Sequence, residues 1–321
     1  MFTHLSILPI VGKPLYGDNP APHNVSAISP LDPQIFTTID QHAENLIAHR
    51  TDARYNTSEV ITWLEMLFVT SANALKAAQS AAGAKASAPE FRRAEEDILI
   101  LNGLGIYYAN LFRAGLYYSI FENTQDPVAA NYSLSFLRTA KETWSTFSTH
   151  AKLVYASDVS YGSTPFRRGH WADRITAIDS DIAALDKALS PAIAQLGSAS
   201  SNHVATQRAR DPQPRSPIAT KHTAPESFHP GTDLPLAITA PPTVTEAALW
   251  YRHVNHGERW LSTPMQRTGT AHTAAIPAAY TDSPYPLQYY FELHTAQSAT
   301  LHPPFNATWS NQPYYTVHLR T

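Results

Sequence analysis

The spacing of apolar residues changes twice along the chain. From Ile35 to Leu189 they recur every three or four positions, the repeat of an amphipathic helix. Ile35, Phe36, Ile39, Ala43, Leu46 and Ile47 form one such stripe, opened by Asp32 as cap and Pro33 at the first helical position. A second begins at "NTSE", where Asn56 and Glu59 have capping-box spacing, and runs to Gly83. A third, long one starts at Ser87 and Pro89 and reaches Asn123. It holds Gly103, Gly105 and Gly115, which suit close approach of a neighbouring helix. A fourth starts at Asp126-Pro127 and runs to Leu153, and a fifth spans 170–189, stopping before Pro191. Short connections between such helices predict an antiparallel bundle over residues 31–195.

Residues 1–30 read as an extended lead-in punctuated by proline, with "LSILPIVG" as a short strand or a tail packed on another surface. Residues 196–235 are rich in Ser, Thr, Pro, Arg and His with little to bury, which predicts a disordered linker. From about Leu236 the pattern becomes that of strands: "TEAALWYRHV", "ERWLSTPMQ", "AHTAAIPA", "LQYYFELHT" and "PYYTVHLR", separated by turn residues. Roughly five to seven short strands of this kind predict a small β-sandwich over 236–321. The expected fold is therefore multidomain α and β, a helical bundle followed by a β-sandwich.

Composition narrows the chemistry. The chain has 321 residues, enough for two domains with separate cores, and a net charge of −3 without any run of like charges. Neither nucleic acid nor an anionic membrane is favoured as a partner. Cysteine is absent, which removes disulfides, thiolate metal sites and cysteine nucleophiles. No apolar run is long enough to span a bilayer. The first twenty residues lack a basic start, and Pro9 interrupts their apolar run, so they do not read as an export signal.

Motifs of nucleotide binding, serine hydrolysis and zinc proteolysis are all missing, and the histidines do not fall at metal-ligand spacing, so neither a metal nor a cofactor is expected. Glu95, Glu96 and Asp97 are consecutive and read as a solvated helix face. One polar constellation stands out, "FRRGHWADRITAIDSDI". On a helix His170, Asp173 and Arg174 share a face, as a histidine and its orienting carboxylate would. An enzyme with a site in the bundle would combine them with Asp158 and Tyr161. The competing reading is a helix start, Asp173 being an acid in a first turn.

The C-terminal aromatics are more informative. Strand alternation puts Tyr289 and Phe291 on one face and Tyr290 on the other, and it separates Trp250 from Tyr251 and Tyr314 from Tyr315. One set fills a core, and the other suits sugar stacking or protein docking. The residues expected to make that contact are Trp250, Trp260, Tyr285, Tyr290 and Trp309.

The stretch "LWYRHVNHGERWLSTPMQRTGTAHTAAIPAAYTDSPYPLQYYFEL" resembles the fibronectin-III or Ig-like modules appended to large bacterial exported enzymes. The helical part, from "ISPLDPQIF" through "YNTSEVITWLEML" to "GHWADRITAIDSDI", is similar to helical regions that precede such modules in carbohydrate-processing proteins. The resemblance implies a non-catalytic accessory protein, or the C-terminal part of a longer protein, that docks a catalytic domain or a polysaccharide. It would be extracytoplasmic if the longer protein is exported. A pure protein–protein interaction module is the other non-enzymatic reading.

Overall fold

The computed structural model describes residues 34–160, 168–197, 203–215, 217–255 and 257–320. The chain is α plus β, with helices in its N-terminal part and antiparallel and mixed sheets in its C-terminal part. It divides into two compact units. One comprises residues up to His49 together with Asn56–Gln213, and the other Arg50–Tyr55 together with Pro214–Thr321. The expected lead-in, with Asp32 and Pro33, lies outside the described residues.

In the helical unit, local capping decides where elements start. Helix α1, Ile39–Ala48, opens at a reciprocal box: Thr38 Oγ1 accepts from the Gln41 N–H, and Gln41 Oε1 accepts from the Thr38 N–H, both at 3.0 Å. Helix α2, Thr57–Ala82, opens at the Asn56–Glu59 box. Helix α3, Pro89–Thr124, has proline in its first turn and ends at Gln125 in the left-handed region. Helix α4, Pro127–Ala151, is capped by Asp126.

The expected fifth helix is divided. Residues Trp171–Arg174 form a 3₁₀ turn, and helix α5 runs Ile175–Ile193, passing through Pro191. Pro191 falls in the last turn of that helix, two residues before its end. Helix α3 packs on α1, α2 and α4, and α4 packs on α5. Leu104, Tyr107, Leu111, Leu116 and Ile120 of α3 meet Leu134, Leu137, Trp144 and Phe147 of α4 in the core. Gly103 faces the Phe147 side chain and Gly105 the Phe68 ring, the close approaches their spacing predicts.

The stretch 196–235 departs from a disordered linker. It contains helix α6, Val204–Arg210, which buries only Ala205 and Thr206 and is held largely by polar anchors. The Asp126 carboxylate, 1% exposed, accepts from the Val128 N–H at 2.9 Å, meets His203 Nδ1 at 2.7 Å and also accepts from the Thr206 hydroxyl. Arg208 donates to the Leu46 carbonyl at 2.9 Å. A count of apolar residues misses such order. Residues 198–202 and 216 lie outside the described set.

A two-residue ladder in the helical unit pairs β1, Val159–Ser160, with β2, Arg168–Gly169. All other strands belong to the second unit. They are β3 Ser227–Phe228, β4 Leu234–Thr239, β5 Val244–His253, β6 Leu261–Pro264, β7 Gln266–Thr268, β8 Ala271–Ile276, β9 Leu287–Thr295, β10 Ala299–His302 and β11 Tyr315–Leu319.

The larger sheet has the order β3-β11-β9-β5-β6, with β10 sharing the β9 edge with β11. It is mixed, because β3 and β11 are parallel. The smaller sheet, β4-β8-β7, is antiparallel. Leu234, Leu236, Ile238 and Ile276 of the smaller sheet join Leu249, Tyr251, Tyr289, Phe291, Leu293 and Val317 of the larger in one core.

Six residues of the expected bundle, Arg50–Tyr55, belong to this second unit. Arg215 holds them. Its guanidinium donates to the carbonyls of Asp52 (3.1 Å), Ala53 (2.9 Å) and Arg54 (2.7 Å) and to that of Ala299 in β10. It lies over the Tyr55 ring at 5.4 Å, and Tyr55 Oη accepts from the Phe305 N–H.

Candidate functional site

The second face of the larger sheet, turned away from the core just described, gathers most of the expected contact residues. Pairing register fixes their neighbours. Trp250 stands opposite Tyr290 on β9 and Ser262 on β6, and Arg252 stands opposite Gln288. Alternation therefore sets Ala248, Trp250 and Arg252 of β5 beside Gln288, Tyr290 and Glu292 of β9 on one face.

The rings form a connected cluster. Trp250 stacks parallel to Tyr290 at 6.0 Å, and Trp260 meets Tyr290 edge-on at 4.8 Å and Tyr314 at 6.1 Å. Polar groups fix the cluster in place. The Trp250 indole N–H donates to Glu292 Oε2 at 2.7 Å, and the other carboxylate oxygen of Glu292 meets His294 Nε2 at 2.7 Å. That bond with Glu292 holds the His294 pKa above its ordinary value against the opposing pull of burial.

Exposure differs sharply within the set. Trp250 is half-buried, whereas Trp260 (7% exposed) and Tyr290 (1%) are buried. Tyr290 thus serves as backing for Trp250 and offers no surface of its own. Arg252 is also buried, with its guanidinium 4.5 Å over the Trp260 ring and its Nε donating to Gln288 Oε1 at 3.0 Å.

Tyr285 lies apart, 54% exposed, and meets His253 edge-on at 6.3 Å. His253 belongs to a small network at the end of β5. Its Nδ1 is 2.8 Å from Glu258 Oε2, and it stacks on Tyr280, whose hydroxyl donates to the same oxygen at 3.0 Å. Burial and that bond push the Tyr280 phenol up to about 12. Partial burial alone would raise the Glu258 pKa, but its bonds from His253, Tyr280 and Asn255 outweigh it and hold the carboxyl below its ordinary value. Trp309 sits half-buried in a turn with φ 51°, its N–H donating to the Asn306 carbonyl.

Two of the bundle candidates form the cap of a helical segment. His170 and Asp173 are a helix start. Asp173 Oδ2 accepts from the His170 N–H at 2.7 Å, and His170 Nδ1 accepts from the Ala172 N–H at 3.1 Å. His170 is 6% exposed, and its Nε2 has no hydrogen-bond partner among the described residues. Asp158 is exposed and paired with Arg168, and Arg174 is half-buried at the end of the 3₁₀ turn. Tyr161 lies outside the described residues. Tyr107 and Tyr108 of α3 are buried in the core.

Sequence reasoning missed a second polar cluster, in a groove of about 720 Å³ along the β4 edge. His222 bridges the Ala237 carbonyl (2.7 Å) and the Tyr289 hydroxyl (2.8 Å), and His302 bridges Thr220 (2.9 Å) and Tyr315 (3.0 Å). Burial, aided by nearby His222, lowers the His302 pKa to about 4, and burial also lowers that of His222. His222 fell in the stretch read as linker, so no local signal marked it. Among the described residues no three His, Asp or Glu side chains gather as a metal site would require, and no helix is long and apolar enough to cross a membrane. Comparison of the chain with family models, curated proteins and solved structures finds no match.

Proposed function

We propose that the chain is a non-catalytic accessory protein whose C-terminal unit is a β-sandwich of the fibronectin-III or Ig-like kind, preceded by an antiparallel helical bundle. In this reading it contacts a polysaccharide through the Trp250 face of the larger sheet. The observation that carries the reading is the mounting of Trp250. The indole is half-buried, backed by the parallel Tyr290 ring and fixed through its N–H to Glu292. A ring immobilised before contact loses little conformational freedom on binding, which is how flat aromatic surfaces recognise sugars and docking partners. Tyr285 supplies a second, exposed ring.

The participation of His170 and Asp173 in a capping box supports the non-catalytic reading over an enzyme site in the bundle. The unit would belong to a larger carbohydrate-processing assembly, in which a separate catalytic domain acts on the polymer.

Co-sedimentation of the full chain with a panel of insoluble polysaccharides tests the reading. Retention on at least one polymer, lost in Trp250→Ala while far-UV circular dichroism is unchanged, is the expected result. Absence of retention on every polymer, or equal retention of wild type and variant, overturns it.

A further inference from the structure

Arg252 presents an electrostatic anomaly within the second unit. Its side chain is 6% exposed, yet no carboxylate of the described residues lies within ion-pair distance. Its Nε donates to Gln288 Oε1, and one face of the guanidinium lies on Trp260. The two terminal amino groups have no acceptor among the described residues and are not buried, so their edge reaches solvent. On the ring beneath it, Trp260 Nε1 is buried and has no hydrogen-bond partner among the described residues. A buried N–H ordinarily finds an acceptor, and a guanidinium edge that still meets solvent is open to one. Two side chains in contact, each with N–H groups that no acceptor of the described residues takes and one of them cationic, describe a place for an anion.

We infer that Arg252 and Trp260 bind a carboxylate, and that the polysaccharide recognised at this face carries acidic sugars. The inference rests on the glycan-binding reading above and names the chemical class of the ligand. Geometry selects the carboxylate. With Nε occupied by Gln288, the guanidinium offers its end-on edge, where two parallel N–H groups match the two oxygens of a planar carboxylate. Trp260, stacked beneath, holds the guanidinium plane in place. Register puts Trp250 and Tyr290 one row along the same face. A sugar ring lying against Trp250 then has its acidic substituent directed toward the neighbouring row.

The test uses the full chain with ¹⁵N-labelled tryptophan, titrated at constant ionic strength with sodium glucuronate, glucose or inorganic phosphate. Saturable movement of the Trp260 indole resonance with glucuronate, little with glucose and weaker binding of phosphate are expected. Arg252→Lys keeps the charge but loses the fork, and should weaken glucuronate at least tenfold while the other indole resonances stay in place. Trp260→Phe keeps the ring but loses the N–H, and should weaken binding several-fold by calorimetry. Equal responses to glucuronate and glucose, phosphate binding as tightly as glucuronate, or unaltered affinity in Arg252→Lys would each overturn the carboxylate site. Polymer retention separates this from the broader reading. Trp250→Ala abolishing retention while Arg252→Lys binds glucuronate unchanged removes the carboxylate site alone. Glucuronate binding without retention of any polymer removes the polysaccharide reading alone.

Discussion

Trp250 and Tyr290 lie face to face across β5 and β9, with ring planes 6° apart and centroids 6.0 Å apart. One ring is half-buried and the other buried, so the same stack joins the proposed contact surface to the interior. Truncating the two should separate these roles. Tyr290→Ala empties a buried site and should cost about 3–5 kcal/mol of stability, as loss of a buried aromatic does. Trp250→Ala should cost less, since part of its surface already meets water, while polymer retention is lost. Urea denaturation beside co-sedimentation checks this; equal destabilisation by both variants would deny Trp250 its separate role.

Gly103 on α3 leaves room for α4. A Cβ built there would lie 2.6 Å from Phe147 Cβ, an atom that moves only with its backbone. Gly103→Ala gains about 1 kcal/mol in helix propensity but forces the helices apart, and the net expectation is destabilisation by about 1–3 kcal/mol. Gly105 differs, because its added Cβ would meet the tip of the Phe68 ring. Combining Gly105→Ala with Phe68→Leu should recover stability, whereas Gly103→Ala with Phe147→Leu should not, since leucine keeps the offending Cβ. A double-mutant cycle measures both couplings.

These helices and their glycines were legible because capping and helical spacing are local: Asn56 with Glu59, and Asp126 with Pro127, mark their helices within one turn. Strand alternation likewise separates Tyr290 from Tyr289 and Phe291. The 196–235 stretch was opaque because its order comes from distant polar partners, Asp126 for His203 and Thr206, and Tyr289 for His222. The aromatic face was legible as a face, but alternation gives direction without depth. It could not tell that Trp260 and Tyr290 are covered while Trp250 is only partly so. Nor does any sequence pattern couple Arg50–Tyr55 to Arg215.

Removing Arg215 should release Arg50–Tyr55. The guanidinium satisfies carbonyls of Asp52, Ala53, Arg54 and Ala299 together, and a lysine ammonium cannot span them all. Arg215→Lys is expected to lose about 1.5–3 kcal/mol of local stability, the range for hydrogen bonds to charged groups. Hydrogen exchange should rise across residues 50–55 while α3 and α4 keep their protection. Unchanged exchange there would show that other contacts hold the segment.

Asp173 discriminates a helix start from an enzyme site. If its role is to accept the His170 N–H, Asp173→Asn, which keeps an oxygen acceptor, should be close to wild type, and Asp173→Ala should cost about 1 kcal/mol. A carboxylate with only a catalytic role would leave the stability of both variants unchanged or raised, since its charge would serve activity and not the cap. Thermal denaturation of both variants, read as a shift in Tm, separates the two roles directly.

The half-buried histidines predict how stability responds to acid. Burial holds the folded pKa of His302 at about 4, below the unfolded value of 6.5, and lowers that of His222 as well. The unfolded chain therefore binds more protons between those values, and stability is full above about 6.5 and falls as pH drops toward 4. His294 runs the other way: its raised pKa contributes stability below 6.5 that is lost as pH rises through the folded value. Glu258, with its lowered pKa, adds a loss once pH drops below the ordinary carboxylate range. After allowance for solvent screening, the His302 contribution is about 1–2 kcal/mol. His302→Gln retains hydrogen-bonding capacity for Thr220 and Tyr315 but does not titrate, so urea midpoints measured from pH 7 to 4 should fall less steeply than in wild type. A parallel fall in the two proteins would place the acid sensitivity in the carboxylates and remove the histidine from the account.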